Sequence, residues 1–139
     1  MNKRINYRDL YVHAGEYVSS QFNTYSNGYI YGNFTVSNNK DIIVLILDDA
    51  SYVKWSNGYN VSSYYNSGRV TNGNITVTLP EGKYYLIYSN KFDTISNKTI
   101  NNNVIVSYNV PKQILSPRMK SLIERMVNNY NNNPAMQYK

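Results

Sequence analysis

Cysteine is absent from the 139 residues, so this chain has no disulfide, thiolate metal site or cysteine nucleophile to offer. His13 is the single histidine, which removes multi-histidine metal centres and leaves one candidate proton shuttle, the alternative being an ordinary exposed strand position. Long apolar runs are missing too. None approaches the ~20 residues that cross a bilayer as a helix, and Met1-Asn2-Lys3-Arg4-Ile5 leads into no hydrophobic segment. There is no G-x-S-x-G elbow and no phosphate-binding P-loop. Asp48 and Asp49 are adjacent, and neighbouring strand residues point to opposite faces, so they do not flank one glycosidic bond; no D-x-D-x-D spacing supports a calcium loop. The expectation is a chain that is not an enzyme, uses no cofactor and holds no metal.

What the chain has is tyrosine: 16 residues, against three phenylalanines and one tryptophan. Flat rings cover a pleated, half-buried sheet well, which points to an all-β body. The length is that of one ordinary domain, enough to bury roughly two-thirds of the unfolded surface without covalent staples. The net charge of +6 is uneven: residues 1–40 carry +2, residues 41–109 are balanced, and residues 110–139 carry +4. A sheet that binds nucleic acid interleaves Lys and Arg with its aromatics, and the balanced centre argues against that partner. Four N-x-S/T triplets, beginning at Asn33, Asn60, Asn74 and Asn97, fit chance in so Asn-rich a chain.

Alternation defines most of the strands. Leu10, Val12 and Ala14 oppose Tyr11 and His13, and a second edge strand follows Gly15. After Asn27-Gly28, Ile30, Gly32, Phe34 and Val36 face one way and Tyr29, Tyr31, Asn33 and Thr35 the other. Ile42 to Leu47 is apolar on both faces, which only a central strand covered on both sides tolerates. Asp49 to Tyr59 reads as a loop with one helical turn. Further strands are predicted over 64–70, 74–79, 83–89 and 98–108, separated by Asn72-Gly73, Glu81-Gly82 and an Asn/Asp/Ser-rich loop. Beyond Val110-Pro111 the period changes. Ser116 can cap a helix that opens with Pro117, and Met119, Leu122, Ile123, Met126, Val127 and Tyr130 recur along one face before Asn133-Pro134 stops it. The final residues are expected to be disordered. The architecture predicted is an antiparallel, jelly-roll-like β-sandwich of about seven to eight strands over residues 1–110, followed over 111–139 by a basic amphipathic helix and tail.

The stretch from Gly82 to Phe92, G-x-Y-Y-L-x-x-x-N-x-F, followed by Lys98-Thr99-Ile100 and Val104-Ile105-Val106, resembles the last strand pair of GOLD-type domains of the emp24/Golgi dynamics kind. With the acidic turn at Asp48 and Tyr64-Tyr65-Asn66-Ser67-Gly68, residues 9–109 look like one such sandwich. The resemblance implies an adaptor or interaction module rather than an enzyme. The paired cysteines and transmembrane tail of the trafficking members are not in this sequence.

The first functional expectation is therefore a structural or protein-interaction module. Its contact surface is the helix, with Met119, Leu122, Ile123, Met126 and Val127 flanked by Arg118, Lys120 and Arg125; the stripe can dock on the sandwich, on a second copy or another protein, or, more weakly given its few aromatics, on an anionic membrane. The Asn/Tyr/Ile-rich composition suits a viral structural or accessory protein from an AT-rich genome, cytoplasmic or virion-associated. The second expectation is a carbohydrate-binding sandwich using Trp55, Tyr59, Tyr64 and Tyr65; the third is single-stranded nucleic-acid binding through tyrosines and basic termini.

Overall fold

The computed structural model describes residues 2–5, 9–26, 28–109 and 117–132. Among the described residues nine strands form: β1 (Asn2–Ile5), β2 (Leu10–Val12), β3 (Tyr17–Thr24), β4 (Gly28–Val36), β5 (Ile42–Asp48), β6 (Tyr65–Val70), β7 (Asn72–Leu79), β8 (Gly82–Ser89) and β9 (Lys98–Ser107). Two helices join them, α1 (Asp49–Ser56) and α2 (Pro117–Asn132). One sheet runs β1-β9-β4-β7, with β2 sharing the β9 edge with β1; the other runs β3-β8-β5-β6. Every pairing is antiparallel.

The two inner faces make the core. Ile30, Phe34, Ile75, Ile100 and Val104 from the first sheet meet Phe22, Ile42, Val44, Ile46 and Leu86 from the second in one buried cluster. The alternation along β4 selects this face as expected: Ile30, Phe34 and Val36 are buried while Tyr29, Asn33 and Thr35 are exposed. β5 lies between β8 and β6, and its outward-facing Leu45 and Leu47 are buried in a second cluster with Ile87, under Tyr52, Trp55 and Val61. A central strand sealed on both faces is what its unbroken apolar run requires.

Three local details depart from the sequence reading. The strand count is nine because β1, polar and charged until Ile5, becomes a strand only by pairing with residues 104–107 of β9. The segment after Asp48 is not a loop with one turn but an eight-residue helix, with the Asp48 carboxylate accepting the Ser51 N–H at 2.7 Å as its N-cap. Its amphipathic pattern is weak, so periodicity hid it. Asn72-Gly73 is not a turn but the start of β7: the chain passes from β6 in one sheet to β7 in the other across Thr71 alone. Glycine is needed there because a Cβ at Gly73 would come within 2.7 Å of the Phe34 ring.

β8 and β9, read from the sequence as the last strand pair of a GOLD-type domain, are consecutive but lie in opposite sheets and do not pair, because the β8–β9 loop crosses between the layers. The helix predicted after Pro117 forms over 117–132, and none of its residues is buried. The Pro111 boundary, the Ser116 cap, Pro134 and the tail expected to be disordered lie outside the described residues.

Candidate functional site

Two surfaces carry chemistry that the core does not consume. The first is built on the outer face of the β3-β8-β5-β6 sheet. Tyr52 projects from α1 onto Tyr85 of β8, the rings stacked 3.8 Å apart, and its hydroxyl lies 3.3 Å from the Tyr17 hydroxyl and 3.2 Å from Ser19 Oγ. Burial and the Tyr52 hydrogen bond, the latter more strongly, push the Tyr17 hydroxyl above its ordinary pKa. One turn further along α1, Trp55 meets Tyr17 edge-on at 4.7 Å, and Lys91 Nζ lies 4.9 Å from the Trp55 ring centre. Trp55 thus divides two clefts. One, of about 290 Å³, is lined by Leu45, Leu47, Asn60, Val61, Ser63 and Asn66; the other, of about 280 Å³, by Ile43, Tyr59, Asn60, Ser89, Lys91 and Phe92.

Phe92 links this cleft to a charged cluster at the end of the sandwich. Arg69 and Lys98 lie over the Phe92 ring at 4.3 and 4.7 Å. Lys98 is 1% exposed and is held by Asp41 O at 2.6 Å, Asp41 Oδ1 at 3.4 Å and Asp93 Oδ2 at 3.3 Å; Arg69 Nη2 pairs with Asp41 Oδ2 at 3.0 Å. Partial desolvation pushes the Asp41 carboxyl up, but Arg69 and Lys98 together outweigh it and hold the group below its ordinary value. Asp93 is drawn down to about 2, first by the Ser96 and Ile95 backbone N–H groups and then by Lys98. The cluster joins the residue before β5, β6, β9 and the loop after β8, and its charges are spent on one another. Lys91 differs, since among the described residues no carboxylate lies within ion-pair distance of it.

Of the residues read as a ligand platform, Trp55 and Tyr59 are brought to one cleft, and Tyr59 is 67% exposed. Tyr64 and Tyr65 are not. The Tyr64 ring stands edge-on to Tyr84, while Tyr65 packs against the inner core and its hydroxyl donates to Asn74 O at 3.1 Å. Lys91, Phe92 and Asn60 were missed as site residues. Asn90-Lys91-Phe92 follows β8 directly, and an aromatic-flanked Lys in a turn was the one available signal. Asp48 serves as the helix cap, and Asp49 pairs with Lys83 at 3.5 Å. His13 sits exposed just after β2, its ring edge-on to Tyr11. Among the described residues no group of three or more His, Cys, Asp or Glu side chains is placed to hold a metal ion.

The second surface is α2. Met119, Leu122, Ile123, Met126, Val127 and Tyr130 are all 42–68% exposed. At 3.6 residues per turn they form one continuous stripe, which Arg118 and Arg125 border on one side and Lys120 on the other, with Glu124 on the polar face. No helix among the described residues is long and apolar enough to cross a membrane. On the outer face of the other sheet, Tyr29 and Tyr31 stack at 5.2 Å; β4 and β7 carry no Lys or Arg, and the exposed Arg4 of β1 lies in the same cross-strand row as Ile105 and Tyr31. No protein-family model matches the chain, and no curated protein matches it at a significant level.

Proposed function

We propose that the protein is a non-catalytic structural or interaction module in which the sandwich presents α2 to another polypeptide. One observation carries this reading: six apolar side chains on one face of a formed helix remain about half exposed, with none of the helix buried. Fully burying such side chains is worth roughly 1.5–3 kcal/mol each, so covering the stripe is strongly favoured. Charge selects the cover. In a symmetric pair of these helices the cations bordering one stripe would face those bordering the other, whereas an apolar groove with acidic edges satisfies Arg118, Lys120 and Arg125. The resemblance of residues 82–106 to GOLD-type domains agrees with an adaptor role, and the Asn/Tyr/Ile-rich composition with a viral structural or accessory protein.

The test is site-specific crosslinking from the two sides of α2. A photoreactive residue replacing Met126, in the stripe, is expected to capture a partner of discrete mass in the native source, and one replacing Asn128, on the opposite face, is not. Light scattering on the pure protein reports whether a second copy fills the role instead. Equal capture from both faces, with a monomeric mass in solution, would remove the assignment.

A further inference from the structure

We propose that the cleft between Trp55 and Phe92 is a binding site for an acidic saccharide, with Lys91 as the group that reads its carboxylate. The inference is independent of α2 and concerns the opposite kind of ligand, small and polyhydroxylated. Its volume of about 280 Å³ is at the small end for ligand sites, which suits a single sugar ring. Its composition suits the same ligand: the exposed Tyr59 ring for the apolar face of a sugar, the Trp55 indole carrying the Lys91 ammonium, the Asn60 amide and the Ser89 hydroxyl for its hydroxyls, and no acidic residue in the lining. The Lys91 ammonium is held in place by the Trp55 and Tyr17 rings at 4.9 and 5.8 Å rather than by a carboxylate. The neighbouring cations Arg69 and Lys98 are already matched by Asp41 and Asp93, so the unneutralised charge in the cleft is that of Lys91.

Trp55 is the sole tryptophan, so fluorescence excited selectively at tryptophan reports on the boundary of the two clefts, and the Lys91 and Tyr59 variants assign the signal to this one. The full chain is titrated with sialyllactose, with a uronate-terminated disaccharide, with lactose and with adenosine monophosphate; saturation-transfer NMR on the same samples supplies a second readout. We expect saturable binding of at least one acidic saccharide, weakened by salt, with lactose and the nucleotide at least 10-fold weaker. Lys91→Gln and Tyr59→Ala, both at exposed positions, are expected to reduce affinity 10-fold or more without shifting the thermal midpoint. Leu122→Asp, in the α2 stripe, leaves binding unchanged. The proposal is overturned by silence of both acidic probes in both readouts, by lactose or the nucleotide binding as tightly as they do, or by affinity that survives Lys91→Gln.

Discussion

Two tyrosines four residues apart on the inner face of β8 show how much a single hydroxyl depends on its partner. Tyr84 Oη donates to Pro80 O at 2.7 Å, and burial pushes its pKa up to about 12. Tyr88 lies deeper, and its hydroxyl has no hydrogen-bond partner among the described residues; burial again raises its pKa. Removing a bonded hydroxyl costs on the order of 1 kcal/mol, whereas removing an unsatisfied one relieves a desolvation penalty. Tyr84→Phe is therefore expected to lower stability by about 1 kcal/mol and Tyr88→Phe to leave it unchanged or raise it, as read from urea midpoints. Gly32 carries the sharpest constraint: its φ is +149°, and a Cβ would overlap Asn103 O on the neighbouring strand. Gly32→Ala is expected to cost more than about 2 kcal/mol, a loss that circular dichroism during chemical unfolding would register. The alternation along β4 showed which way Gly32 faces. That β9 passes too close for any side chain is a property of sheet packing, and nothing near Gly32 in sequence encodes it.

At the level of elements, α1 and α2 are opposites. α1 is short and weakly patterned, yet its Trp55 and Tyr52 close the outer face of β5 and β8 over Leu45, Leu47 and Ile87. α2 is long and strongly amphipathic, yet nothing in it is buried. Trp55→Ala is accordingly expected to destabilise the fold by about 3 kcal/mol and Asp48→Ala, which removes the cap, by about 1 kcal/mol. Leu122→Asp is expected to move the thermal midpoint by no more than the error of a calorimetric scan, because the side chain gives no packing to the sandwich. Periodicity found α2 because the stripe repeats over four turns. It missed α1 because a two-turn helix laid on a sheet by one indole and one phenol needs no stripe of its own.

On the scale of the whole molecule, Lys98 ties the layers together. It belongs to the first sheet and is buried against Asp41, which leads into the second, and against Asp93 in the loop between β8 and β9. Lys98 is buried while Asp41 and Asp93 keep contact with water, so Lys98→Ala empties a packed site and unpairs two solvated carboxylates, and is expected to lower the urea midpoint by the equivalent of about 2 kcal/mol. The same cluster sets the acid limit. Asp41 and Asp93 have folded-state pKa values below their ordinary ones, so the stability they contribute is fully present above about pH 4 and is lost as pH falls through the folded values, which for Asp93 is about 2. Urea midpoints measured from pH 7 to pH 2.5 should fall through that window, and Asp93→Asn should both lower the midpoint at pH 7 and flatten the decline.

Most of the strands, which of their faces turn inward and where the C-terminal helix lies were written locally, in the two-residue alternation of β4, the doubly apolar run of β5 and the three- and four-residue steps of α2. Such periods depend only on backbone geometry over a few neighbouring residues, so they survive without knowledge of the fold. Tertiary structure alone decided that Thr71 is a crossing between sheets, that a lysine opening β9 is buried and that Lys91 meets Trp55 across 36 positions of chain. Each of those depends on sheet order and register, which bring together side chains that no local period connects.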